Sequence, residues 1–475
     1  MLKQLKRLGG DSLLYAFMNV GTKIIAFVML PIYTTFLSTE QMGIFDLLEA
    51  ALAVITFLVI FGTDNALAYY FYQVTEEEKK IDYVKTVVTI RIFIASIFFI
   101  SFVVFGSIFS ELLLGSDKYK DMFLLLGIVL ITEALITVIL TYYRFIFKSK
   151  KVALLTVFKL LLVAIFSYLL LRYSNWKVES LYLGRIASGF VLLIILVRPL
   201  FKFFTLKVDF QLVKEIIKYG APLVPASLAF WVITFSNRII LSKFTTFGDV
   251  GVYGVAVKIA TMITLLTTGI QMAWRPYSMN IKDEPNAKDI YAKVYYIILG
   301  IGIVGLLAIA SVSPFIVQIL APQEGYREAA NYVALLSLGS FLSFYYLIIS
   351  VGLFLEEKTA IVSKYVGISA GISIVLNLLL IPYFKIWGAT AALVISFVFV
   401  NIFIFKKSQE VYYVPVSIRK LVGVLINGCI GILAIVMIYI NDLNIIFILI
   451  PWIYVFFSFY VMGFHKMALR MVRGG

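Results

Sequence analysis

Apolar runs about as long as a bilayer is thick alternate along the whole chain with short charged connections. Fourteen such runs are centred near residues 24, 54, 96, 132, 161, 189, 231, 262, 302, 340, 370, 396, 428 and 456. A helix of roughly 20 apolar residues spans the hydrocarbon core, and only a helix or a closed barrel satisfies its own backbone there. The pattern predicts an all-α polytopic membrane protein with about 14 transmembrane helices. Two longer basic stretches break the rhythm: RPLFKFFTLKVDFQLVKEIIK after the sixth run and KKSQEVYYVPVSIRK after the twelfth. The first has the amphipathic spacing of a helix lying on a membrane surface. These two linkers set the expected domain boundaries: 1–208 with helices 1–6, 209–411 with helices 7–12, and 412–475 with helices 13–14.

Polar residues inside the runs are the informative ones, because a charge in lipid costs several kcal/mol, about 2.5–3.5 for Asp on insertion scales. The stretch from Gly220 to Pro276 is the richest in them. Ser227, Trp231, Thr234 and Arg238 follow at spacings of four, three and four, which puts one polar stripe along a helix. Asn237 and Lys258 add to it, with Thr261 one turn beyond. In the second run, Asp46 and Glu49 share a helix face, and Asp64 follows Gly62. The first run holds Asn19 and Lys23 four apart, too deep for Lys23 to reach either surface easily. Glu133, Lys159 and Arg185 read as structural charges, with Glu133 pairing to Lys159 or Arg185. Arg91 lies about two turns from a surface, within snorkelling reach. Pro31, Pro222 and Pro225 allow helix bends.

Composition agrees with this picture: 62% of residues are hydrophobic and 14% charged. The net charge of +15 would suit nucleic acid, but its distribution points elsewhere. With the N-terminus inside, 28 of the 41 Lys and Arg fall in inside loops and tails, 7 in outside loops and 6 within helices. That bias is the positive-inside rule. It predicts a multi-pass protein with both termini cytoplasmic and no nucleic-acid partner. One Cys (Cys429) and one His (His465) support neither an internal disulfide, a metal site nor a Ser-His-Asp triad, so no catalytic residue, metal ligand or cofactor is expected. The first run is too long for a signal-peptide core and stays as a helix.

An internal repeat organises the runs. A shift of 208 residues places Gly43-Ile44-Phe45 on Gly251-Val252-Tyr253, Ile55-Thr56-Phe57-Leu58 on Ile263-Thr264-Leu265-Leu266, and Tyr83 and Lys85 on Tyr291 and Lys293. One gap then aligns Gly62 and Ala66 with Gly269 and Ala273. Six helices per unit is an even number, so the halves insert in parallel about a pseudo-twofold axis along the membrane normal. Two six-helix lobes would flank a cleft, with two helices appended. The charges do not repeat: Asp46 falls on Gly254, Lys258 on Ala50 and Arg238 on Leu30. The expectation is that Asp46 or Glu49 meets Arg238 or Lys258 when the outer side is closed, and that reversing Glu49 is rescued by reversing Lys258.

The combination Pro222-x-x-Pro225, Trp231, Ser236-Asn237-Arg238, Gly251-x-Tyr253, Lys258 and Ala273-Trp274-x-Pro276 resembles the polysaccharide flippases of the multidrug/oligosaccharidyl-lipid/polysaccharide superfamily. In that family an acidic residue commonly precedes the Arg, where Asn237 stands here. The resemblance implies a bacterial cytoplasmic-membrane carrier, not an enzyme. It would flip an undecaprenyl-pyrophosphate-linked oligosaccharide, an O-antigen or other repeat unit, by alternating access. Lys23, Arg238 and Lys258 become candidate cations for the diphosphate, and Asn19, Trp231, Thr234, Asn237 and Thr261 neutral cavity lining. Asp46, Glu49, Asp64 and Glu133 become candidates for a gate or for H+ or Na+ coupling. Membrane lipids, a polysaccharide polymerase and glycosyltransferases are the implied partners of a monomer, and helices 13–14 an apolar flank for the lipid tail. No Gly-rich phosphate loop suggests ATP use.

Three other readings compete with this one. A multidrug and toxic compound extrusion antiporter shares the two-lobe core, but it usually stops at twelve helices and favours an acidic cleft. A lipid II flippase also has fourteen helices and a basic cleft. A membrane glycosyltransferase or polymerase would show long outside loops with clustered carboxylates or Arg, whereas the outside loops here are short.

Overall fold

The computed structural model of the chain describes Gly21, Ile25, 27–205 and 209–463, and every regular element among these residues is helical. In chain order they are α1 (Phe27–Phe36), α2 (Thr39–Ile60), α3 (Thr63–Gln73), α4 (Glu77–Leu114), α5 (Lys120–Phe145), α6 (Ser149–Tyr173), α7 (Val178–Ile195), α8 (Val197–Phe203), α9 (Phe210–Gly220) and α10 (Val224–Phe244). There follow α11 (Phe247–Ala260), α12 (Ile263–Asn280), α13 (Ala287–Leu320), α14 (Ala329–Ile349), α15 (Val351–Leu355), α16 (Thr359–Val411), α17 (Ile418–Ile440) and α18 (Leu449–Val461). Eleven helical spans among the described residues are long and apolar enough to cross a bilayer. One of them, α16, turns at Lys385 (φ 49°, ψ −122°) and is two helices end to end. Two further apolar helices, α1 and the segment Ile445–Val461, are shorter. The set is consistent with the 14 predicted crossings.

The chain divides into two compact units, Met1–Gly251 and Val252–Gly475. In the first, α4 packs on α5, α6 and α5 both pack on α7, and α2 packs on α10. A capping box starts α2: the Ser38 hydroxyl accepts from Gln41 N, and Gln41 Oε1 accepts from Ser38 N at 3.0 Å. This satisfies two of the amide groups that a helix start leaves without partners. The second apolar run was expected as one helix, but it breaks at Phe61 and Gly62, both left-handed (φ 46° and 68°). Gly62 there touches the backbone of Gly220, with no room for a side chain between them.

The surface linker of the sequence reading is α8 and α9. Asp209 caps α9, its carboxylate accepting from Gln211 N and Leu212 N at 2.9 and 3.3 Å. The buried face of α9 docks through Ile216 into an apolar cluster with Leu67, Phe71, Val84, Val87 and Ile139. Glu215 accepts a hydrogen bond from the Tyr83 hydroxyl at 2.6 Å, and Tyr83 stacks on Tyr70 with ring centroids 5.0 Å apart. This segment, which leads into α10, is therefore fixed to α3 and α4.

In the second unit α14 lies against α13 and α16, α13 also against α17, and α17 against α18. Two of its buried polar side chains bridge neighbouring helices: the Tyr345 hydroxyl donates to Tyr295 O at 3.1 Å, and Asn401 Nδ2 donates to Leu342 O at 2.9 Å. Ser311 of α13 receives Trp452 Nε1 at 2.9 Å on its hydroxyl and Tyr439 on its carbonyl, which ties both last helices to α13.

Two left-handed glycines separate conformational strain from steric conflict. A Cβ on Gly115 (φ 67°) meets nothing within 4 Å, whereas one on Gly62 would lie 2.5 Å from Gly220 O. Gly115→Ala is expected to cost only the left-handed penalty, about 1–2 kcal/mol. Gly62→Ala should cost at least ~1 kcal/mol more through backbone displacement. Thermal unfolding of the two variants in detergent checks this, and equal midpoints would contradict the contact.

Candidate functional site

In the first unit, α2 and α3 carry three acids within apolar spans, Asp46, Glu49 and Asp64. Three residues apart on α2, Asp46 and Glu49 are rotated about 60° from each other around the axis, and this rotation sends them to different neighbours. Asp46 turns to α10, where its carboxylate accepts from Arg238 Nε at 2.5 Å. The pair is almost fully shielded, with side chains 3% and 6% exposed. Arg238 Nη1 donates to Thr234 O at 2.8 Å, and its guanidinium lies 4.9 Å from the centre of the Phe235 ring. On the same face of α2 as Asp46, Ala50 O accepts from Trp231 Nε1 at 3.0 Å. The stripe on α10 thus faces α2 through Trp231 and Arg238.

Glu49 turns to α7. Arg185 meets it with two parallel hydrogen bonds of 2.8 Å, and the Tyr182 hydroxyl donates to it at 3.2 Å. Both side chains are about a quarter exposed. The forked geometry matches the planar guanidinium to the carboxylate. The expected swap with Lys258 therefore starts from a Glu49 already held by Arg185 and Tyr182.

Asp64, in the first turn of α3, accepts from Arg91 Nη2 at 2.7 Å and from the Thr141 hydroxyl at 3.3 Å. Arg91 is completely buried rather than snorkelling. Its Nε donates to Thr63 Oγ1 at 2.8 Å and its Nη1 to Thr137 Oγ1 at 3.2 Å, so each guanidinium nitrogen has a partner. The break at Gly62 is what turns Thr63 and Asp64 toward this Arg. Glu133 on α5 accepts from Lys159 on α6 with both oxygens at 2.5 Å. Asp46, Glu49, Asp64 and Glu133 thus each have a basic partner on another helix. An unpaired buried charge would be far more costly than these pairs.

The remaining candidates are more scattered. Asn19 and Lys23 lie outside the described residues. Asn237 is fully buried and its Oδ1 accepts from Arg238 N, while Thr234 is half-buried and donates to Phe230 O at 2.8 Å. In the second unit, Lys258 is half-buried in the last turn of α11, and its carbonyl accepts from the exposed Thr261 at 2.7 Å. The acids of that unit, from Asp283 to Asp442, sit at helix ends and connections.

Sequence reasoning placed no site role on Arg91, Lys159, Arg185 or Tyr182. Arg185 is 136 positions from Glu49, so no spacing rule links them. The available signal was that basic residues deep in apolar runs need acidic partners.

The sequence profile of the family described as "Polysaccharide biosynthesis protein" matches residues 8–282. The chain belongs to that family. The match includes α2 to α11, and so all four ion pairs. No curated protein matches the sequence. Among solved structures, this member of the polysaccharide biosynthesis family is similar to "Lipid II flippase MurJ, inward closed conformation". That likeness has a TM-score of 0.69 and 13% identity, covering 96% of this chain and 100% of that one. A second is an inward-facing multidrug resistance MATE family transporter of the MOP superfamily, with TM-score 0.60, 14% identity, and 82% and 94% coverage. A third is the eukaryotic MATE transporter AtDTX14, with TM-score 0.56, 12% identity, and 86% and 98% coverage. These likenesses show a shared helical fold.

A double-mutant cycle on Asp46→Ala and Arg238→Ala measures the most shielded pair. Each single variant removes one member of a buried ion pair and is expected to cost roughly 3–5 kcal/mol, and the double variant less than the sum. Additive losses of unfolding free energy would mean that the two side chains are energetically independent.

Proposed function

We propose that this protein flips an anionic, diphosphate-linked oligosaccharide on a polyprenyl carrier, from the cytoplasmic to the outer leaflet of a bacterial cytoplasmic membrane. The observation that carries the reading is Arg238: a shielded guanidinium in an apolar span, bonded to the Asp46 carboxylate, a group whose place a phosphate can take. Phosphate and carboxylate both accept the same forked donors. As the lipid diphosphate draws Arg238, its bond to Asp46 is given up and the hold of α2 on α10 weakens. Binding and opening are then linked through one charge. Lys258, Lys23 and the neutral residues Asn19, Trp231, Thr234, Asn237 and Thr261 complete the proposed lining. Both termini face the cytoplasm in this reading, as the Lys and Arg distribution favours.

An apolar groove of about 670 Å³ between α17 and α18 supports a lipid substrate. Ile430, Ala434, Met437, Ile438, Phe447 and Tyr454 are among its lining residues, and its chemistry suits an isoprenoid tail. The coverage of the similar structures points the same way: the antiporters cover 82–86% of this chain, the flippase 96%. A lipid II flippase is the second reading, favoured by that fold likeness. A gradient of H+ or Na+ supplies the bias, entering where a basic partner has been withdrawn from Asp46, Glu49, Asp64 or Glu133. A monomer handing its cargo to a polysaccharide polymerase, with glycosyltransferases upstream, fits the family.

Deleting the gene is expected to remove surface polysaccharide and accumulate lipid-linked repeat units inside. Arg238→Ala should lower complementation by roughly 10–100-fold at equal protein level, consistent with loss of a charge-assisted contact. Full complementation by Arg238→Ala would sink the diphosphate assignment. Lysis without polysaccharide loss would favour the lipid II reading.

A further inference from the structure

The start of α2 and the start of α11 meet backbone to backbone. An ideal Cβ on Gly43 would lie 1.9 Å from Phe247 O, and one on Gly251 would lie 2.0 Å from Thr39 O. Real Cβ atoms do not approach a carbonyl so closely, so each position admits only glycine in this arrangement. Neither glycine has a left-handed φ; the requirement is space. The two contacts are also reciprocal. Each glycine rests on the carbonyl four residues before the other, and Thr39 and Gly43 map onto Phe247 and Gly251 by the 208-residue shift of the internal repeat. Residue i touching j while the equivalent of j touches the equivalent of i is the signature of a twofold interface. A crossing formed by chance has no reason to reproduce the register of a repeat.

We propose that Gly43 and Gly251 form a reversible latch on the pseudo-twofold axis, shut in this structure and parted once per transport cycle. The proposal rests on the alternating-access reading above and adds the element that opens. Glycine suits the task for two reasons. It lets the helices close without side chains that must unlock, and it leaves only dispersion and weak Cα–H···O contacts to break. Asp46 lies three residues beyond Gly43 on α2, and its bond to Arg238 holds the adjoining helix in register. The charge pair confers specificity on a contact that glycine alone would leave free to slide.

The geometry supplies its own test. Thr39 Cβ lies 3.9 Å from an ideal Cβ on Gly248, inside the range of about 3.5–4.5 Å that a disulfide spans. The pair Thr39→Cys and Gly248→Cys is built with Cys429→Ser, which removes the one native thiol. Cells lacking the native gene carry this variant, polysaccharide export is followed, and free thiols are counted by maleimide-polyethylene-glycol mobility shift. Oxidation should cross-link the pair and lower export at least about tenfold, with recovery on reduction. Adding Gly43→Ala or Gly251→Ala should slow cross-linking at least about tenfold, and by the same factor for both because the contacts are equivalent.

Export that continues at the reduced rate while the pair is fully cross-linked would overturn the latch. So would cross-linking that is indifferent to both alanines, or a pair that never cross-links. If the alanine variants fail to accumulate, the disulfide arm alone still decides, since it leaves both glycines intact. Absence of export from the unmodified chain would instead reject the flippase reading, with the cross-linking rates still reporting on the crossing.

Discussion

A carboxylate inside an apolar span must be neutralised from another helix, and much of the first unit follows from that constraint. Asp46, Glu49, Asp64 and Glu133 are each satisfied by a base, on α10, α7, α4 and α6 respectively. Apolar packing alone gives little orientation between helices in lipid, because acyl chains are as apolar as the side chains they would replace. Paired charges do give it, since a slip of one turn would strand both partners. The ion pairs therefore act as register marks as much as sources of stability.

Their differences matter for motion. Arg91 is buried with all three nitrogens engaged, and its partners lie on α3 and α5, so it belongs to a rigid corner around the α2–α3 break. The forked Glu49–Arg185 bond holds α2 to α7 with partial exposure. Asp46–Arg238, which joins α2 to α10 through Nε, is more shielded.

The second unit is built differently. Its described carboxylates sit at helix ends and connections, as Asp289 and Glu410 do, and among its buried polar groups Tyr345 and Asn401 donate to backbone carbonyls. Such neutral contacts stabilise without fixing a charge balance. The asymmetry is legible in the repeat itself, where Asp46 aligns with Gly254. Backbone geometry persisted between the halves while the charges diverged, as the reciprocal glycines beside non-equivalent ions illustrate.

Hydropathy determined much of this protein directly. The fourteen runs, the surface linker before α10 and the helical class follow from the length of apolar stretches, because backbone hydrogen bonds must close within each span. The polar stripe of α10 was equally readable, since a 3.6-residue period converts spacing into a face. Partner identity was not readable. Asp46 and Glu49 sit on neighbouring faces, and only the packing of α7 and α10 around α2 decided which Arg each would meet. The break at Gly62 and the crossing at Gly43 and Gly251 belong to the same category. A glycine in a sequence signals freedom or closeness, but which backbone comes close is settled by tertiary contacts between residues some 158 or 208 positions apart. Local periodicity carries no information across such distances, and the charges and glycines that matter most here act across them.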